Sequence, residues 1–121
     1  MKQVCNTQTL LMNKIVLETL EQVEAIQTKL GFSLIFKHST RCPVSRTALK
    51  KVESDTEFAN SKIDFYYLDL LKFRDISNNI ATVFAVQHQS PQILIIKNGQ
   101  CTFNASHSDI IPSEILQKIA N

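Results

Sequence analysis

Hydrophobic positions along the chain fall into short blocks whose period changes from one block to the next. Leu17, Leu20, Val23, Ile26 and Leu30 recur at three- and four-residue steps, the spacing of one buried helix face, and Gly31 supplies a stop. Leu34 to Lys37 is short and mostly apolar, as a central strand is. From Pro43 to about Glu57 the helical period returns, with Val44, Ala48, Leu49 and Val52 on one face. The run from Ile63 to Leu68 is rich in aromatic and branched residues and reads as a strand. Asp69 to Arg74 connects it to a helix whose inner face is Ile76, Ile80, Val83 and Phe84. Residues Gln87 to Pro91 break the pattern before a buried strand, Ile93 to Ile96. Asn98-Gly99 is a strong hairpin signal, with Cys101 to Ala105 as the returning strand. Pro112 opens a last helix with Ile115, Leu116 and Ile119 inward. The order α-β-α-β-α-β-β-α predicts an α/β domain with a central mixed sheet and helices on both faces. It covers residues 16–121, behind a loose N-terminal tail of residues 1–15.

Composition narrows the function more than the fold. The 121 residues make one domain, long enough for a core without metal or disulfide staples. Net charge is +2 and the basic residues are scattered, which is a solvated surface and not a nucleic-acid footprint. Two glycines cannot build a glycine-rich phosphate loop. No apolar run approaches the ~18 residues of a membrane span, and Leu10-Leu11-Met12 is too short for a signal-peptide core. A cytoplasmic location is therefore expected, where thiols stay reduced. Cys5, Cys42 and Cys101 have no short pairing, and His38, His88 and His107 give no pair on one helix turn, so neither a disulfide framework nor a metal site is expected.

The candidate chemistry lies at Cys42. Pro43 suits the first position of a helix, where its missing N–H leaves no bond unmade, and this puts Cys42 at the N-cap. Free backbone N–H groups and the positive end of the helix dipole favour the thiolate there. Thr40 and Arg41 precede the cysteine, and Arg41 and His38 are candidate positive charges for its thiolate. Ser45, three residues on, is placed for its hydroxyl to reach back toward the sulfur, as in a capping box. An inert buried cysteine followed by a helix-starting proline is the plainer reading of Cys42-Pro43 taken alone.

This order of elements, with a cysteine after the first central strand and Ser90-Pro91 before the hairpin, resembles the thioredoxin fold over about residues 16–120. The segment from His38 to Ser45, taken with His88-Gln89-Ser90-Pro91-Gln92, is similar more narrowly to the monothiol bacilliredoxins. Their motif is Thr-Cys-Pro-Ile-Ser; here Arg41 stands before the cysteine and Val44 replaces the isoleucine. Thioredoxins proper have a second cysteine where this chain has Ser45, and a buried carboxylate where it has Phe36. Both missing parts serve the dithiol half of the mechanism. The resemblance implies a cis bond before Pro91, with the Ser90 backbone offered to an extended substrate beside Cys42. His88, on the same rim, is a further substrate-binding candidate.

What the resemblance implies about function is removal of bacillithiol from S-bacillithiolated cytoplasmic proteins under oxidative stress. Cys42 would carry the small thiol as a mixed disulfide, cleared by a second bacillithiol or by a partner reductase. No tightly bound cofactor is expected; bacillithiol is the co-substrate. The competing reading is a non-catalytic adaptor that uses the Ser90-Pro91 rim only to bind a partner. Cys101 begins the return strand and is expected at the far end of the sheet, out of bridging range, while Cys5 sits on the tail.

Overall fold

The computed structural model describes residues 13–120. Asn13–Val16 form β1, Leu20–Thr28 α1, Phe32–His38 β2, Pro43–Ser54 α2 and Thr56–Ala59 α3. Asp64–Asp69 form β3, Arg74–Val83 α4, Gln92–Lys97 β4, Gln100–Ser106 β5 and Pro112–Ala120 α5, with a 3₁₀ turn at His107–Asp109. The strands make one five-stranded sheet in the order β1-β3-β2-β4-β5. β1, β3 and β2 run parallel, while β4 and β5 run antiparallel to their neighbours. No helix among the described residues is long and apolar enough to cross a membrane.

The expected tail is corrected at its inner end. Residues 1–12, Cys5 among them, lie outside the described residues, but Asn13–Val16 pair with β3 as an edge strand. Four residues, mostly exposed, carry too little apolar alternation to announce a strand. α1 also starts later than its periodicity predicts, because Thr19 and Gln22 form a capping box in which the threonine hydroxyl accepts from the Gln22 N–H. Leu17 is buried all the same, in the connection before the helix, and Leu30 is 81 % exposed beyond its end. The predicted helix from Pro43 to Glu57 is two helices. Asp55 ends α2 and caps α3, its carboxylate accepting from the Phe58 N–H at 2.8 Å.

Alternation along β2 divides the core. Leu34 and Phe36 face α2, α3 and α5, in a cluster with Ala48, Val52, Phe58, Phe65 and Ile115. Ile35 faces α1 and α4, with Val23, Ile26, Ile76 and Ile80. At one pole the β4–β5 hairpin is tied to the end of α1. Asn98 and Gly99 both have positive φ, as a two-residue hairpin turn of this sequence requires. The Asn98 N–H donates to the Gly31 carbonyl at 3.0 Å, and the Gly31 N–H donates to the Asn98 side-chain oxygen at 2.7 Å. Gly99 sits so close to α1 that a Cβ there would stand 2.1 Å from the Gln27 carbonyl oxygen. At the opposite pole, β2 ends and the chain turns toward Cys42.

Candidate active site

After His38 the chain makes a tight turn, closed by the Cys42 N–H donating to the Ser39 carbonyl at 3.1 Å. Cys42 is the N-cap of α2, extended at φ −100° and ψ 118°, and Pro43 is the first helical residue. The Cys42 carbonyl accepts the first helical bond, from the Arg46 N–H at 3.0 Å. Its side chain makes no capping hydrogen bond, and the thiol is half-buried and free. The sulfur thus stands at the head of a twelve-residue helix, where the first-turn N–H groups have no carbonyl to bind within the helix.

The expected contact between Ser45 and the sulfur is not made. The fully buried Ser45 hydroxyl accepts from the Ser39 N–H at 3.0 Å and lies 2.7 Å from His38 Nδ1. A buried hydroxyl takes the strongest partners in reach, and the turn brings Ser39 and His38 to it. His38 correspondingly turns its Nδ1 to Ser45. It is 4 % exposed and packs against the rings of Phe36 and Tyr67. Burial lowers its pKa, against the raising effect of Asp69 and Glu53, and so favours the neutral ring. Both residues brace the turn that presents Cys42. Thr40 and Arg41 are exposed on that turn, and Arg46 donates to the Thr40 carbonyl at 3.2 Å. Thr40 and Arg41 line a hollow of about 410 Å³ with Asp69, Leu71 and Lys72.

A second hollow, of about 260 Å³, opens on the other side of the helix head and is mainly apolar. Pro43, Val44, Thr47, Ala48 and Lys51 form one wall, with His107 and Ser108 opposite. Val44, predicted to face the core, is 50 % exposed here. Pro91 belongs to the same neighbourhood. Lys37 of β2 is the partner of Gln92 in β4, so Pro91 stands level with the end of β2, and its carbonyl accepts from the His107 N–H at 3.1 Å. The Ser90–Pro91 bond is cis. The Ser90 hydroxyl is buried without a hydrogen-bond partner among the described residues. His88 does not join this rim through its Nδ1, which turns inward to Lys37 and Ser77.

Cys101 lies where the hairpin predicts. Its partner Ile96 is in turn opposite Ser33, five steps down β2 from His38, or about 17 Å at ~3.3 Å per residue. A disulfide needs Cα atoms within ~7 Å. Burial raises the Cys101 pKa, against the effect of its contact with the Phe103 carbonyl, and so keeps this thiol protonated.

The residue missed from the sequence is Lys37. It reads as the polar end of a strand, yet it is 0 % exposed. The available signal was its place directly after three consecutive apolar residues of the strand, Leu34 to Phe36. Burial lowers its pKa to about 8, from 10.5. Below about pH 8 both folded and unfolded chains carry the proton and the full cost of the buried charge is present. Between about 8 and 10.5 the folded chain sheds its proton first, so this group makes stability rise with pH. The span corresponds to about 3 kcal/mol at 1.36 kcal/mol per unit. Tyr67 and Cys101, whose values burial raises, act in the opposite sense. The contribution is therefore read as a difference. Relative to wild type, Lys37→Met should be more stable at pH 7 and lose that advantage by pH 10.5, in urea titrations across the range; a constant difference would mean that Lys37 is not buried as a cation.

A half-buried thiol at a helix head, the one cysteine there among the described residues, lies beside a cis-proline loop on a β1-β3-β2-β4-β5 sheet, and this defines a site on a thioredoxin-type oxidoreductase fold. Among solved structures, the chain is 31 % identical to a protein described as "a putative oxidoreductase with a thioredoxin fold" (TM-score 0.76, 92 % of this chain and 95 % of that one). It shares the fold of thioredoxin from Malassezia sympodialis at 19 % identity (TM-score 0.66, 91 % and 90 %). The same holds for thioredoxin from Trypanosoma brucei brucei at 17 % (TM-score 0.67, 89 % and 88 %). The family model "Monothiol bacilliredoxin BrxC" matches residues 15–115, and the chain belongs to that family.

Proposed function

We propose that this protein is a monothiol thiol–disulfide oxidoreductase that removes bacillithiol from S-bacillithiolated proteins of the cytoplasm. The observation that carries the reading is that Cys42 is the one thiol at the site among the described residues: Ser45 stands where a resolving cysteine would, and its hydroxyl is committed to Ser39 and His38. The Cys42 thiolate attacks the bacillithiol sulfur of the mixed disulfide. A Cys42–bacillithiol bond forms, the old S–S bond breaks, and the protein's sulfur leaves as a thiolate that takes a proton from water. A second bacillithiol thiolate then attacks the carried sulfur, freeing Cys42 and producing bacillithiol disulfide; a partner reductase is the other route of clearance. The substrate's main chain lies along Ser90-Pro91, with the Ser90 backbone offered to it beside Cys42. The apolar hollow at Val44 takes a side chain flanking the modified cysteine.

The adaptor reading predicts binding without turnover, and one experiment separates the two. A Cys5→Ala, Cys101→Ala double variant is incubated with a bacillithiolated protein. It should release the reduced substrate and gain the mass of one bacillithiol on Cys42. Binding without transfer would favour the adaptor. An internal disulfide in wild type, joining Cys42 to Cys5 or Cys101, would replace the monothiol cycle with a dithiol one.

A further inference from the structure

The exchange chemistry leaves a buried polar cluster unused, on the sheet face opposite α2. Lys37 donates to the Ser77 carbonyl oxygen at 3.2 Å and approaches His88 Nδ1 at 3.2 Å; the Ser77 hydroxyl lies 3.3 Å from the same nitrogen. Among the described residues no carboxylate pairs with Lys37. A buried, unpaired ammonium works against folding, so an apolar residue would serve stability better. What the ammonium does hold is a loop. His88 belongs to the segment Gln87–Pro91, and a second side chain holds the same segment: Gln92 donates to the Gln87 carbonyl at 3.0 Å and accepts from the Gln89 N–H at 3.4 Å. Lys37 and Gln92 are directly opposite each other across β2 and β4. Both tethers therefore stand on a single cross-strand pair, at the sheet end nearest Cys42.

We propose that the Lys37–Gln92 pair is a clamp on the Gln87–Pro91 loop, and that Lys37 is a positioning residue for substrate docking, acting through His88 on the place of Ser90 and Pro91. The inference rests on the reading of that rim as the substrate's docking edge. For the clamp to hold, His88 must be neutral with Nδ1 as acceptor. Burial, then the charges of Lys37 and Arg74, lower its pKa in that direction. Those are the charged groups facing it, from β2 and from the start of α4; Ser77 is the polar neighbour.

The test uses the full chain and Lys37→Met, which keeps the length of the side chain and removes the donor. The KM for a bacillithiolated protein should rise about tenfold with kcat within about twofold, the signature of lost positioning. Backbone amides of residues 87–90 should exchange hydrogen at least about tenfold faster in Lys37→Met. Unchanged KM and exchange would overturn the proposal, as would a fall in kcat at constant KM, which would place Lys37's effect on the thiol. If Lys37→Met does not fold, His88→Phe removes the acceptor instead, and an unchanged exchange rate at residues 87–90 in that variant overturns the clamp. If wild type fails to turn over the protein substrate, the docking reading falls, while the exchange comparison still decides the clamp.

Discussion

Cys42→Ser should lose at least about a thousandfold in turnover, down to the uncatalysed exchange rate, and at the same time be slightly more stable than wild type. The loss follows from the chemistry: an alcohol is not ionised near neutral pH and forms no mixed disulfide. The gain follows from the position. Cys42 has the extended backbone of an N-cap and makes no side-chain capping bond. Serine is among the best residues there, its oxygen accepting from an N–H two or three residues on, here Val44 or Ser45. The improvement should be about 1 kcal/mol, by analogy with measured caps. Urea unfolding and turnover on one preparation measure both. A destabilised serine variant would mean that the sulfur is packed as a structural group, and residual turnover would move the chemistry to another thiol.

Phe36→Asp should leave no folded protein at neutral pH. Phe36 is fully buried, stacks on Phe65 at 6.0 Å and is tilted against His38 at 6.2 Å. Removing the ring alone costs ~3–5 kcal/mol, and burying an unpaired carboxylate adds several more. That exceeds the ~5–15 kcal/mol of a typical domain at the lower end and consumes much of it at the upper. The substitution restores the acid that thioredoxins carry at this place, so the outcome tests whether this core has been rebuilt around an aromatic residue. Near-UV circular dichroism should show no native signal for Phe36→Asp and a native one for Phe36→Leu. A well-folded Phe36→Asp would mean that the site still accommodates a carboxylate.

The fold was legible because its signals are local and strong: the apolar runs of β2 and β4, Asn98-Gly99 for the hairpin, and Pro43 and Pro112 as helix starts. The strand β1 was not, since four mostly exposed residues show no alternation and the strand exists only by pairing with β3. At the site, Cys42, Pro43 and Ser90-Pro91 announced themselves by sequence. The environments of Ser45, His38, His88 and Lys37 did not. Each turned on which way a side chain faces at the end of a strand or the start of a helix. A pattern of residue types does not distinguish a histidine beside a thiol from one hydrogen-bonded beneath it.

The knot of hydrogen bonds between Asn98 and Gly31, at the pole away from Cys42, acts on the site like the zero mark of a ruler. It sets which residue of β4 faces which residue of β2, and that registration is carried along the pair until Lys37 meets Gln92 and Pro91 arrives level with the turn into Cys42. A slip of one residue at the mark would put every side chain of β4 on the wrong face of the sheet. Alignment of the thiol with the Ser90-Pro91 loop is therefore governed in part by a hairpin tip some five residues of strand away, at the opposite end of the sheet.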